Sequence, residues 1–132
     1  MATHGDRSGV VVVTGATGML GSATATALAR RAVSTDLVAR NEAAGHQLLD
    51  SVKRAGGGSH RLVIGDLSEP DSVRAVAAEI SSGASAVAAV VHSAAALFRD
   101  RRVNSVGHEA MFATNVLARF LLTHELQPLL TT

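Results

Sequence analysis

The chain has 132 residues, enough for one domain with a packed core and short of the usual size for two. With 12 Lys plus Arg against 11 Asp plus Glu the formal charge is +1, so no cationic surplus exists to hold nucleic acid or an anionic membrane. Hydrophobic residues at 47% and charged ones at 17% mark a chain that folds, and the lack of cysteine and tyrosine excludes disulfides, thiolate metal sites and a tyrosine acid.

Residues 1–9 read as a loose polar lead without the character of a targeting signal. Val10 to Val13 form a β-branched run with no polar alternation, which predicts a strand buried on both faces of a parallel sheet. A glycine-rich turn follows, and then Leu20, Ala23, Ala27 and Leu28 recur at helical spacing up to Arg30 and Arg31. Thr35 to Ala39 make a second strand. Asn41 caps a second helix with Ala44, Leu48, Val52 and Ala55 on one face, ended by Gly56 to Gly58. Arg61 to Ile64 is a third strand. Ser68, with Asp71 three residues on, forms a capping box around Pro70, ahead of Val73, Val76, Ala77 and Ile80. Val87 to Val91 is the fourth strand. The basic loop Arg99 to Asn104 leads into a last helix from Gly107 to Gln127, stopped by Pro128, with Val106, Ala110, Ala113 and Leu117 in the core.

Strand and helix alternate four times, so the predicted fold is α/β: a Rossmann-type open parallel sheet in the order 3-2-1-4 with helices on both faces. No linker or repeat interrupts it, and residues 1–132 read as a single nucleotide-binding domain, or part of one. The longest apolar stretches, such as Ala86 to Val91, are too short to span a membrane. The setting expected of a chain without cysteine is a reducing cytoplasm.

The segment TGATGMLG spaces Gly15, Gly18 and Gly21 three residues apart between a buried strand and a helix. In such a turn one glycine permits the bend, one lets backbone approach a pyrophosphate, and one lets the helix pack on the strand. Amides at the helix start, from Thr17, Gly18, Met19 and Leu20, then face the phosphates. About twenty residues on, where an acid would accept bonds from a ribose 2'-hydroxyl, stand Ala39 and Arg40. A small residue followed by a guanidinium suits a 2'-phosphate, so NADP is expected over NAD. Asp36 lies too early in its strand to be the selecting acid. The six histidines show no metal-ligand spacing, so no metal is expected. The Arg99, Arg101, Arg102 cluster reads as a solvated loop rather than a phosphate site.

TGATGMLG resembles the cofactor turn of the short-chain dehydrogenase/reductases, with the TGxxGxxG spacing of their extended branch. The resemblance continues through Asp66 and Leu67, HSAA at His92 to Ala95, and FATNVLARFLLTHELQPLL at residues 112–130, which is similar to retinol-dehydrogenase-like members. It implies that Asp66 meets the adenine, that Leu67, Ser93, Ala94 and Ala95 complete the cofactor set, and that His92 is a backbone-positioning residue. Read from the residues alone, Asp66 is instead a helix cap, with Ser68 the better cap, and His92 a satisfied sheet-edge histidine. The family also uses a serine, a tyrosine with a lysine four residues later, and an asparagine that supports the lysine through water. Asn115 matches the asparagine, and the match on both sides favours that role over a helix polar group bonded to backbone. The one lysine, Lys53, lies elsewhere.

The tyrosine and lysine follow a fifth strand in that family, so these 132 residues are expected to stop before it. Little turnover is then expected from this chain alone. Val87 to Val91 would be left as an apolar edge open to pairing with another copy. The implied function is the NADP-binding portion of an oxidoreductase that moves hydride between a nicotinamide cofactor and a carbonyl or alcohol, apolar if the similarity at 112–130 is a guide. A non-catalytic NAD(P)-binding sensor and an inert remnant are the alternatives.

Overall fold

The computed structural model describes residues 7–130. Four parallel strands, β1 (Val10–Thr14), β2 (Thr35–Ala39), β3 (His60–Ile64) and β4 (Val87–His92), pair in the order β3-β2-β1-β4, as the sequence predicts. The two central strands are buried along their whole length, which is why they lack polar alternation. Alternate residues serve opposite faces. Val11, Val13 and Leu37 pack under α1 (Met19–Arg30) and α2 (Glu42–Ala55), whereas Val12, Val38 and Val63 pack under α3 (Pro70–Gly83) and α5 (Ala118–Leu126).

Several local expectations are corrected. In α1 the buried face is Gly21, Ala25 and Ala29, with Leu28 half-buried, while Leu20, Ala23 and Ala27 are exposed. The helix lies so close to the sheet that only small side chains fit beneath it. Asn41 caps α2 as expected, its Oδ1 accepting the Ala44 amide at 2.9 Å, and Gly56 ends it. Ser68 and Asp71 make no capping box. Glu69 is the N-cap of α3 without a side-chain bond, Pro70 occupies the first turn, Ser68 turns back to Asp66, and Asp71 bonds Arg74.

The last helical stretch starts at Ala110, capped by Glu109, because Gly107 adopts φ 89° in a preceding turn. Val106 is exposed. The stretch runs as α4 (Ala110–Phe112), a π-helical turn (Ala113–Leu117), α5, and a 3-10 turn (Gln127–Leu129) that contains Pro128. Its buried residues are Ala110, Ala113, Ala118, Leu122 and Leu126. The step of five between Ala113 and Ala118 fits neither three nor four residues per turn, and the π turn absorbs the extra residue. Leu117 is therefore half-buried and Ala118 takes the core position.

β4 is not bare along its full edge. Val87 is fully buried and Leu130 makes a parallel bridge to it, while Ala88 and Ala89 are exposed.

Periodicity gave no sign of the ion cluster at the end of the sheet away from the glycine turn. Asp36 is fully buried and accepts from Arg7 at 2.8 Å and from Arg61 at 2.9 Å. Arg7 also donates to the carbonyls of Thr35 and Gly83, so the end of the supposed loose lead is fastened across β2 and α3. Removing the carboxylate strands two guanidiniums in a largely dry site. Asp36→Ala should cost about 3 kcal/mol of stability, read by urea unfolding; an unchanged midpoint would show that the cluster is ornamental.

Candidate functional site

The C-terminal ends of all four strands open onto a cleft of about 640 Å³, the usual place for a ligand in an open α/β sheet. Its floor is built by backbone contact. Gly15 has φ 58°, and a Cβ there would lie 2.6 Å from the backbone of Ala94. A Cβ on Gly21 would lie 2.2 Å from the Gly15 carbonyl oxygen. Strand end, helix start and the loop after β4 therefore meet with no room for side chains. Thr14 and Ser93 lock the arrangement: Ser93 Oγ donates to the Thr14 carbonyl, and the Ala94 amide donates to Thr14 Oγ1 at 3.2 Å. Thr14, which opens the TGATGMLG segment, was given no role of its own from sequence.

Gly18 is the N-cap of α1 and its own amide is taken by the Gly15 carbonyl at 3.0 Å; it supplies no side-chain bond, so the next amides, from Met19 and Leu20, have no intrahelical or capping partner among the described residues. Those amides and the aligned helix dipole suit an anion. At Gly18 an added Cβ would meet only the Gly15 carbonyl, at 3.3 Å, so the absence of a side chain here keeps backbone accessible rather than relieving a severe clash.

Of the residues singled out by sequence, Gly15, Thr17, Gly18, Arg40, Asp66, Leu67, Ser93, Ala94 and Ala95 line the cleft together. Met19 and Leu20 do not line it; their side chains are exposed beside it and only their amides belong to the helix start. Gly21 lies beneath as packing. Asp66 caps no helix. Its amide donates to Ser72 Oγ at 2.8 Å, and its Oδ1 accepts the Ser68 amide and hydroxyl at 3.0 and 2.7 Å. That fixes the carboxylate at the cleft wall.

Asn115 does not line the cleft; it shapes one side of it. From the π turn its Oδ1 accepts the Ala96 amide at 2.8 Å and its Nδ2 donates to the Ala96 carbonyl at 2.9 Å. His92 bonds Thr123 Oγ1 through Nε2 at 2.9 Å. Burial first, and then the Arg119 charge, hold its imidazole below the usual histidine pKa, which favours the neutral ring. Asn115 thus spends its amide on backbone, and His92 its Nε2 on a hydroxyl.

Arg99, Arg101 and Arg102 are exposed, and the backbone of their loop is also fastened to its surroundings. Val103 bridges Glu109, the Ala110 amide bonds the Arg102 carbonyl at 2.8 Å, and Asn104 Nδ2 donates to the Ser68 carbonyl at 2.9 Å. Glu109 accepts the amides of Phe112 and Met111, which lower its carboxyl pKa. Phe98, Arg102, Asn104 and Thr114, none of them chosen from sequence, thereby join the lining. Among the described residues no group of acids and histidines is placed to hold a metal, and no helix is long and apolar enough to cross a membrane.

Comparison with known proteins agrees with this architecture. An uncharacterized protein from Mycobacterium paratuberculosis superposes with a TM-score of 0.79 at 29% identity, over 98% of this chain and 47% of its own. A metagenomic short-chain oxidoreductase solved with NADP gives 0.79 at 24% identity, over 96% of this chain and 57% of its own. An NADH-dependent reductase solved with NAD gives 0.75 at 19%, over 93% and 52%. The chain thus spans about half the length of these structures. A model of the short chain dehydrogenase family matches residues 9–132, nearly the whole sequence and every element that builds the cleft, and the chain belongs to that family.

Proposed function

We propose that this chain is the NADP-binding portion of a short-chain oxidoreductase that moves a hydride between a nicotinamide cofactor and a carbonyl or alcohol. The observation that carries the reading is the uncapped start of α1, opening at Gly18 onto the cleft. The turn from Gly15 through Thr17 to Gly21 would hold the pyrophosphate, Asp66 and Leu67 the adenine, and Ser93 to Ala95 the ribose and nicotinamide side. The hydride is what the cofactor supplies when bound. Asn115 acts through Ala96, as a positioning residue for the loop beside the nicotinamide end. The relatives solved with NADP and with NAD support a nicotinamide dinucleotide in general.

Arg40 supports the phosphorylated form. It follows Ala39 at the end of β2, is exposed in the cleft, and makes no hydrogen bond or ion pair among the described residues. A guanidinium with free donors suits a 2'-phosphate, and neither Arg40 nor Asn41 is a carboxylate that would select a free 2'-hydroxyl. Titration calorimetry should find NADPH bound more tightly than NADH, and Arg40→Ala should weaken NADPH about tenfold or more while leaving NADH unchanged. Absence of heat from either coenzyme at millimolar concentration would end the reading.

With no tyrosine in the chain, the proton that must accompany hydride transfer has no phenolic donor, which removes a factor of about 10² to 10⁴ in rate. The 132-residue chain alone should therefore show little turnover of NADPH with a panel of aldehydes and ketones; rates equal to those of full-length family members would overturn this. The same lack favours, as second reading, a non-catalytic nucleotide sensor. The similarity of residues 112–130 to retinol-dehydrogenase-like members supports an apolar carbonyl or alcohol, and the absence of cysteine supports a cytoplasmic setting. No cationic surplus supports a nucleic-acid partner.

The exposed Ala88 and Ala89 leave part of the β4 edge free to pair. Size-exclusion chromatography of the 132-residue chain should show concentration-dependent self-association, and a clean monomer at high concentration would refute pairing through this edge.

A further inference from the structure

We infer that Arg102, seated on the ring of Phe98, is a second phosphate-binding guanidinium of the cleft, in addition to Arg40. The inference rests on the dinucleotide reading above. It begins with the balance of satisfied and unsatisfied charge. Four charged residues line the cleft: Arg40, Asp66, Glu69 and Arg102. Both acids are already engaged by the protein, Asp66 by Ser68 and Glu69 by the amide and hydroxyl of Ser105. Neither guanidinium makes a hydrogen bond or an ion pair among the described residues. The lining is formally neutral, two guanidiniums against two carboxylates, but the guanidiniums alone keep donors that the protein leaves unspent, and the group that takes such donors is an anion.

Arg102 is also held ready for that task. Its Cζ lies over the Phe98 ring, 4.2 Å from the centroid, a cation–π contact that seats the group while it makes no hydrogen bond among the described residues. The backbone on either side is fixed. The Phe98 amide points to Met111 Sδ, the Arg102 carbonyl accepts from Ala110, and Asn104 grips Ser68. A planar donor set on a fastened loop loses little freedom when it takes a phosphate, so its bonds count nearly in full. Arg99 and Arg101 sit on the same loop, but they do not line the cleft.

Phosphate reaches this site from two parts of one ligand, the pyrophosphate or the 2'-phosphate, and coenzyme pairs tell them apart. In calorimetric titrations Arg102→Ala should weaken binding about tenfold. Equal loss for NADPH and NADH assigns Arg102 to the pyrophosphate, and loss confined to NADPH assigns it to the 2'-phosphate; either supports the inference. Arg102→Lys should recover only part of the loss, because an ammonium lacks the fork, and Phe98→Leu should weaken binding in the same direction by unseating the guanidinium. Thermal unfolding of each variant alongside wild type distinguishes a lost contact from a lost fold. Wild-type affinity for both coenzymes in a folded Arg102→Ala protein overturns the inference and leaves the dinucleotide reading intact. If wild type binds neither coenzyme, the dinucleotide reading fails by itself. Inorganic pyrophosphate then decides for Arg102, supporting its role if wild type binds and Arg102→Ala does not, and overturning it otherwise.

Discussion

Everything at the cleft depends on three stretches of backbone approaching one another without side chains between them. Gly15 abuts the main chain of Ala94, and Gly21 abuts the carbonyl of Gly15. These contacts set the height of α1 above the sheet, and that height decides which residues of the helix can be buried: Gly21, Ala25 and Ala29, all small. They also aim the start of α1 across the ends of the strands. The anion site is thus less a set of side chains than a result of close packing between a helix and two strands.

Around that backbone frame, side chains work mostly to hold loops still. Thr14 and Ser93 join β1 to β4, Ser72 and Ser68 fix Asp66, Asn104 ties the basic loop to the turn after β3, and Asn115 holds Ala96. All but the Ser68 hydroxyl, which bonds the Asp66 carboxylate, spend these bonds on main chain at the rim of an apolar core, where unpaired groups would be costly. The rim that results is rigid, with its acids satisfied and its two guanidiniums left available.

Much of this was legible in the sequence. The continuous valine run of β1, the spacing of Gly15, Gly18 and Gly21, and the alternation of strand and helix fixed the sheet order and the position of the cleft, because buried parallel strands and tight turns have few chemical solutions. What escaped depended on contacts between residues distant in sequence. The Asp36 cluster joins residues 7, 36 and 61, and nothing near any of them announces the others. The face of α1 was misjudged because Leu20 outranks alanine in hydrophobicity, while clearance above the sheet, a tertiary property, overruled it. The fastening of the basic loop gave no local sign because its bonds run to Ser68 and Glu69, 36 residues away.

The π turn at Ala113–Leu117 shows how one rod can obey two masters. Below it, α5 keeps step with the sheet through Ala118, Leu122 and Leu126; above it, α4 and the first residue of the turn keep step with the rim through Ala110 and Ala113. The surplus residue between the two segments is a phase change of roughly 100°, and Asn115 stands at its middle. An insertion or deletion anywhere else in the helix would turn one end against its partner, whereas here the mismatch is already accommodated. The wound-in residue works as a gearbox, coupling a core that tolerates no rotation to a rim whose shape must suit a visitor.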